Sequence, residues 1–266
     1  MGNLFRELAP VSGGAWKQID EEATRTLKEY MAARRLVDVI GPRGYDHGGV
    51  PTGHVREIAA PDQGVRALQR QVAPLVELRV PFVLSREEID GVARGSNDPD
   101  LQPLKDAARK LAFAEDRAVI DGYADAGITG IRQATDNKKI ALPADIAAYP
   151  RAVAKALSEL RLAGVNGPYR LALGAKAYAA MNGATDEGYP VYRELYGMLN
   201  GAIVWAPAIE GGLLISARGG DYELHLGQDV SIGYDSHDAK SVTLYLQETF
   251  TFLSLTAEAS VNLVAG

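Results

Sequence analysis

The strongest constraint on this chain lies near its carboxyl end. Val242, Leu244, Leu246, Glu248, Phe250 and Phe252 alternate with Thr243, Tyr245, Gln247, Thr249 and Thr251. That is the period-two pattern of an extended strand. At ~3.3 Å per residue, such a strand runs on the order of 40 Å. A round domain has little use for so long a strand, whereas an elongated platform does. The 266 residues allow one large domain or two modest ones, each with its own core.

The rest of the chain divides by texture. Trp16, Ile19, Ala23, Leu27, Tyr30 and Met31 recur at three- and four-residue spacing, with Glu21, Glu22, Lys28 and Glu29 on other faces. This predicts an amphipathic helix from about Gly14 to Arg34, then a short strand over Arg35–Val39 ended by Gly41-Pro42. Between residues 43 and 73, glycines and prolines punctuate short polar strands, and no stretch can bury a core. The segment reads as an extended β-arm that needs a neighbour to cover it. A half-buried strand follows from Val76 to Leu84. Asp100 can cap a long helix marked by Leu104, Ala108, Leu111, Ala112 and Val119, with Pro103 in its first turn and Gly122 or Gly127 closing it. From about residue 140, helices and strands alternate in a compact α+β unit. A helix is stopped by Gly164, strands are expected at Tyr169–Leu173, Ala202–Ala206 and Leu213–Ser216, and two short helices flank Gly183–Gly188.

Composition removes several kinds of chemistry. There is no cysteine, so disulfides, thiolate catalysis and Cys-ligated metal sites are excluded. A net charge of −6, with Lys and Arg mixed among Asp and Glu, argues against a nucleic-acid partner. Apolar runs break well short of the roughly 18 residues a membrane span needs, and no secretory signal is visible. A cytoplasmic location is expected. His47, His54, His225 and His237 show no metal-ligand spacing, and no phosphate-binding loop or serine-hydrolase elbow is present. Glu115 and Asp116 sit mid-helix beside Arg109 and Arg117, where ordinary helical ion pairs account for them. No catalytic residue, metal or cofactor is expected.

The wording of the sequence is more specific than its layout. Leu8-Ala9-Pro10 before Trp16, Arg34-Arg35-x-Val37-Asp38-Val39, and Pro74 to Phe82 resemble encapsulin shell proteins. So do Gly188-Tyr189-Pro190, Arg218-Gly219-Gly220-Asp221-Tyr222, Leu226-Gly227-Gln228-Asp229, Ser231-Ile232-Gly233-Tyr234 and Glu248-Thr249-Phe250-Thr251-Phe252. The likeness runs from Asn3 to about Leu263 and is to the classical family, once described as linocin-like bacteriocins.

That resemblance implies the α+β tailed-phage major capsid (Hong Kong 97-type) fold. Its P-domain, with the N-terminal interior helix, would take residues 1–43, 74–135 and 222–266. The E-loop would take 44–73 and the A-domain 136–221. It implies a homo-oligomeric icosahedral shell, T=1 by analogy, that encloses a cargo enzyme through the cargo's C-terminal targeting peptide. Dye-decolourising peroxidase and ferritin-like iron oxidase are the cargoes of the family. Positions matching the peptide site are Leu27, Met31, Arg34 and Asp38, with Asp229 and Ile232. Thr185, Asp186, Glu187, Gly188 and Tyr189 match the loop around the five-fold pore. Some members hold a flavin with an aromatic in the segment matching Ser85–Asp90; that segment has no aromatic here, so flavin is not expected. Two rival readings are a prophage major capsid protein, which calls for a basic interior, and a hydrolase or secreted bacteriocin, which calls for an active site or export signal.

Overall fold

A computed structural model describes residues 2–199 and 203–265. In chain order its regular elements are α1 (Gly13–Tyr30), β1 (Asp38–Ile40), β2 (Gly49–Ile58), β3 (Ala67–Pro74), β4 (Val76–Ser85), α2 (Arg86–Ala93), α3 (Gln102–Ile120), α4 (Ile131–Ala134), β5 (Ile140–Leu142) and α5 (Tyr149–Leu162). They continue with β6 (Tyr169–Leu173), α6 (Ala175–Gly183), β7 (Thr185–Asp186), β8 (Tyr189–Pro190), α7 (Val191–Met198), β9 (Ile203–Trp205), β10 (Gly212–Ser216), β11 (Tyr222–Leu226), β12 (Ser231–His237), β13 (Ser241–Ser254) and β14 (Ser260–Ala265).

The long strand is real and organises the molecule. β13 extends over 14 residues, about 46 Å at the usual rise. Along one edge it pairs antiparallel with β4 from Phe250↔Val76 to Ser241↔Ser85. Along the other edge it pairs with β12 and then β11, and β1 adds in parallel outside β11. The apolar half of β13 divides between two cores. Val242, Leu244 and Leu246 join Ile19, Phe82, Leu104, Leu111 and Ile232 beneath α1 and α3. Phe250 and Phe252 join Leu224, Leu171, Leu214 and Leu263 beneath the second sheet. The opposite face is not solvated as alternation alone implies. Gln247 and Thr249 are buried there, in a network where Gln247 donates to Gln228 at 2.9 Å, accepts from Arg79 at 2.6 Å, and Asn3 donates to Gln228 at 3.0 Å.

Ser12 caps α1 by accepting the amide of Ala15, and Ala15, Ile19, Ala23 and Thr26 form its buried face. The helix stops at Tyr30, short of the expected Arg34. The amides of Ala32 and Ala33 turn instead to the carboxylate of Asp116, at 3.1 and 2.7 Å. A single 3-10 turn over Ala33–Arg35 follows, so the strand begins only at Asp38. Helix α3 begins one residue later than expected, with Leu101 at its cap position and no side-chain cap there; Asp100 stands just ahead and accepts the amide of Gln102 at 2.9 Å.

The second sheet runs β5-β14-β10-β6-β9. β14 is parallel to β5, β6 is parallel to β9, and β10 is antiparallel to both β14 and β6. Four strands therefore point one way and β10 alone opposes them. Residues 260–265, grouped by the resemblance with residues 222–259, lie in this sheet, because Val261 and Leu263 are fully buried in its core. Residue 202, the first of one expected strand, lies outside the described residues; β9 covers Ile203–Trp205, and Ala206 falls just past its end.

The arm is a two-stranded ribbon of β2 and β3, paired from Gly49↔Pro74 to Ile58↔Ala67. Val55, Ile58, Val65, Leu68 and Val72 are exposed along it. Nothing among the described residues covers them, as a segment without a core requires.

Candidate docking face and pore hairpin

The carboxyl end of α1, the middle of α3, β13 and the turn between β11 and β12 meet at Arg34. Its Nε and Nη2 grip Glu115 in a fork, with contacts of 2.6–3.0 Å. Nη1 donates to Asp229 at 2.7 Å and Nη2 to Glu248 at 3.1 Å. Glu115 and Glu248 are fully buried, while the Asp229 side chain is 47% exposed. One guanidinium thus faces three carboxylates, and Glu248 Oε1 has no partner among the described residues. Burial pushes the Glu248 carboxyl well up, and the Glu115 charge beside it pushes the same way, against the opposing pull of Arg34. For Arg34, burial works to lower the guanidinium, but Glu115, Glu248 and Asp229 more than reverse it and leave it raised.

This corrects the reading of Glu115 and Asp116 as members of ordinary helical ion pairs. Both are fully buried. Glu115 holds Arg34, and Asp116 holds the backbone that follows α1. Burial raises Asp116 to about 7, opposed by the amides of Ala33 and Ala32. Helical spacing gave no sign of this, because the partners lie more than 80 residues away.

Of the six expected peptide-site residues, five gather here. Leu27 is half-buried against the core that contains Ile232, Met31 and Ile232 are buried, and Arg34 joins Asp229. The groups left open to a ligand are the exposed edge of Leu27 and the free side of Asp229; Arg34 is already engaged within the chain. Asp38 lies apart. It is exposed on the edge strand β1, where it accepts the amide of Gly220 at 2.6 Å and braces that turn.

The expected pore residues form a β-hairpin. Thr185 pairs with Pro190 and Asp186 with Tyr189. Glu187 and Gly188 make the turn with φ of 46° and 86°, both left-handed, as a tight two-residue hairpin requires. All of Thr185–Tyr189 is exposed, and the hairpin joins α6 to α7.

The comparisons decide the family. The family model described as "Encapsulating protein for peroxidase" matches residues 1–251. A type 1 encapsulin shell protein of Rhodococcus erythropolis is 56% identical, covering 99% of this chain and all of that protein. The corresponding protein of Mycobacterium tuberculosis is 52% identical, with 99% of each chain covered. The chain belongs to the encapsulin shell-protein family. Among solved structures, the virus-like particle of Pyrococcus furiosus superposes with a TM-score of 0.62 at 17% identity, covering 92% of this chain and 98% of that one. The capsid of Myoviridae phage XM1 does so with 0.54 at 12% identity, covering 86% and 90%. These confirm the capsid-type α+β fold. As an encapsulin the chain is a structural shell protein and not an enzyme. Among the described residues no group of His, Asp and Glu is placed to hold a metal, and no helix is long and apolar enough to cross a membrane.

Proposed function

We propose that this encapsulin subunit assembles into the smallest single-environment icosahedron, T=1, in the cytoplasm, and encloses a cargo enzyme docked through its C-terminal peptide. The observation that carries the assembly reading is the uncovered ribbon β2–β3. Its exposed apolar side chains, with Val55, Leu68 and Val72 on one face, need a surface that the described residues of its own chain do not offer, and a second copy supplies one symmetrically. Peroxidase is the favoured cargo because the family description names it; a ferritin-like iron oxidase is the other cargo expected from the family.

The docking face would receive aliphatic side chains of the peptide on Leu27, with Met31 and Ile232 as its apolar floor. Asp229, fixed by Arg34, would accept a hydrogen bond from the peptide, while Asp38, spent on the Gly220 turn, takes no part. Many tethered copies inside a closed shell would raise the effective concentration of a weak peptide. Around a five-fold axis, repeated Asp186 and Glu187 would form an acidic ring that favours cations over anions. Electron microscopy of the protein expressed alone, with mass by light scattering, tests the shell. Uniform hollow particles of megadalton mass are expected, and a small oligomer across salt and pH conditions would defeat the reading. Co-expression with a peroxidase bearing or lacking its terminal peptide then tests docking. Leu27→Glu should abolish co-purification without altering the particle.

A further inference from the structure

Charge does not balance around Arg34. The charged groups facing Glu248 come from three elements packed on β13: Arg34 from the turn after α1, Glu115 from α3, and Asp229 from the turn between β11 and β12. On β4 the residue opposite Glu248 is Leu78. Its charged neighbours Glu77 and Arg79 pair with each other, and Arg79 reaches Gln247 on the other face of the sheet. Asp116, beside Glu115, is taken up by the amides of Ala32 and Ala33. One positive charge therefore meets three negative ones.

Two of the three are fully buried and meet on a single nitrogen. Arg34 Nη2 donates to Glu115 at 2.6 Å and to Glu248 at 3.1 Å, and the two carboxyls lie within hydrogen-bonding reach of each other. Bare carboxylates so placed repel, and burial makes each charge costly. Glu248 also has an oxygen, Oε1, that no donor among the described residues reaches. A single proton removes the repulsion, because a carboxylic acid can donate to the carboxylate beside it, and the pair then titrates as a unit. Arg34 is left to balance one buried carboxylate, and its Nη1 can hold Asp229 at 2.7 Å.

We infer that Glu115 and Glu248 share one proton, and that this proton locks Asp229 of the docking face onto Arg34. When the proton passes to solvent, two buried carboxylates compete for one guanidinium. Arg34 turns inward to them, Asp229 is released, and the turn between β11 and β12 loosens. The lock is closed at low pH and opens as pH rises. Its bearing on cargo rests on the docking reading above, since only there is Asp229 a peptide acceptor; the proton and the lock stand without it.

The test compares assembled particles of the parent and of Glu248→Gln, whose amide donates to Glu115 as the acid does but cannot ionise. Infrared difference spectra at pH 7 should show one protonated carboxyl per chain in the parent that the variant lacks. Hydrogen exchange reads the lock. A peptide covering residues 227–232 should exchange equally in both proteins at pH 6 and several-fold faster in the parent at pH 9, while a peptide from α5 should match throughout. Comparison at equal pH removes the base catalysis of exchange, and Asp116, present in both, drops out. If Glu248→Gln does not fold, Glu115→Gln removes the other half of the pair and is read in the same way. A missing carboxyl band would overturn the shared proton, and equal exchange of the turn at pH 9 would overturn the lock. Neither readout uses cargo, so failure here and failure of docking are separate results.

Discussion

Without Arg34, Glu115 and Glu248 would remain buried with no cation beside them. Breaking such a pair by removing one partner costs about 3–5 kcal/mol, so Arg34→Met is expected to lower the unfolding midpoint strongly in urea at pH 8. The loss should shrink at pH 5, where the stranded carboxyls can protonate. Asp116 makes a separate prediction. Its folded-state value, raised to about 7 from an ordinary 3.8, means the folded protein holds the proton more tightly than the unfolded chain. Its contribution is therefore complete below about pH 4 and is lost as pH rises through 7, at up to about 1.4 kcal/mol per pH unit. Asp116→Asn does not titrate, so its stability relative to the parent should improve steadily from pH 4 to 7. Thermal melts at one scan rate across that range check it. This charge cluster was hidden in the sequence for a simple reason. Arg109 and Arg117 are near Glu115 and Asp116 in sequence but not at the three- or four-residue spacing of a helical ion pair, and only the folded chain shows that their partners come from Arg34 and the backbone of residues 32 and 33. Arg34 itself was singled out for the docking face, where the fold instead spends its hydrogen bonds within the chain.

Elements were far more legible than contacts. The spacing of apolar residues located α3 and α5, Gly164 ended α5 with φ of 78°, and Tyr169–Leu173 emerged with its expected bounds. These signals are local, and local geometry answers to them. Helix α1 ended four residues early because a tertiary contact to Asp116 overrode a favourable local pattern. β14 joined the second sheet for a similar reason, since nothing in six residues states which sheet they will complete. The arm was legible through what it lacks, an apolar stretch able to bury itself. Replacing residues 49–74 by a short Gly/Ser linker should therefore leave the subunit folded, because both cores lie elsewhere, while abolishing particles. Circular dichroism should stay close to the parent spectrum as light scattering reports only small species. For the hairpin, Asp186→Asn with Glu187→Gln should slow entry of a divalent cation into intact particles. An unchanged filling rate, followed with an internal metal-sensitive dye, would remove the acidic ring from the account.

At the scale of the whole molecule, β13 contributes to both cores, and no other element pairs with so many neighbours. Phe250 is fully buried at the junction, and truncating such a ring costs about 3–5 kcal/mol. Phe250→Ala should therefore speed hydrogen exchange in both sheets together, including β6 and β10, which do not pair with β13. If only one sheet lost protection, the two cores would be independent units. The geometry of this strand also bears on mechanics. It works like a beam set into two blocks at either end, with hydrogen bonds tying planks along both of its sides. A tile of this kind resists stretching along the beam and yields more readily by rocking about it. A wall made of such tiles would flex at the seams between subunits, where the thin ribbons cross, while each tile kept its shape.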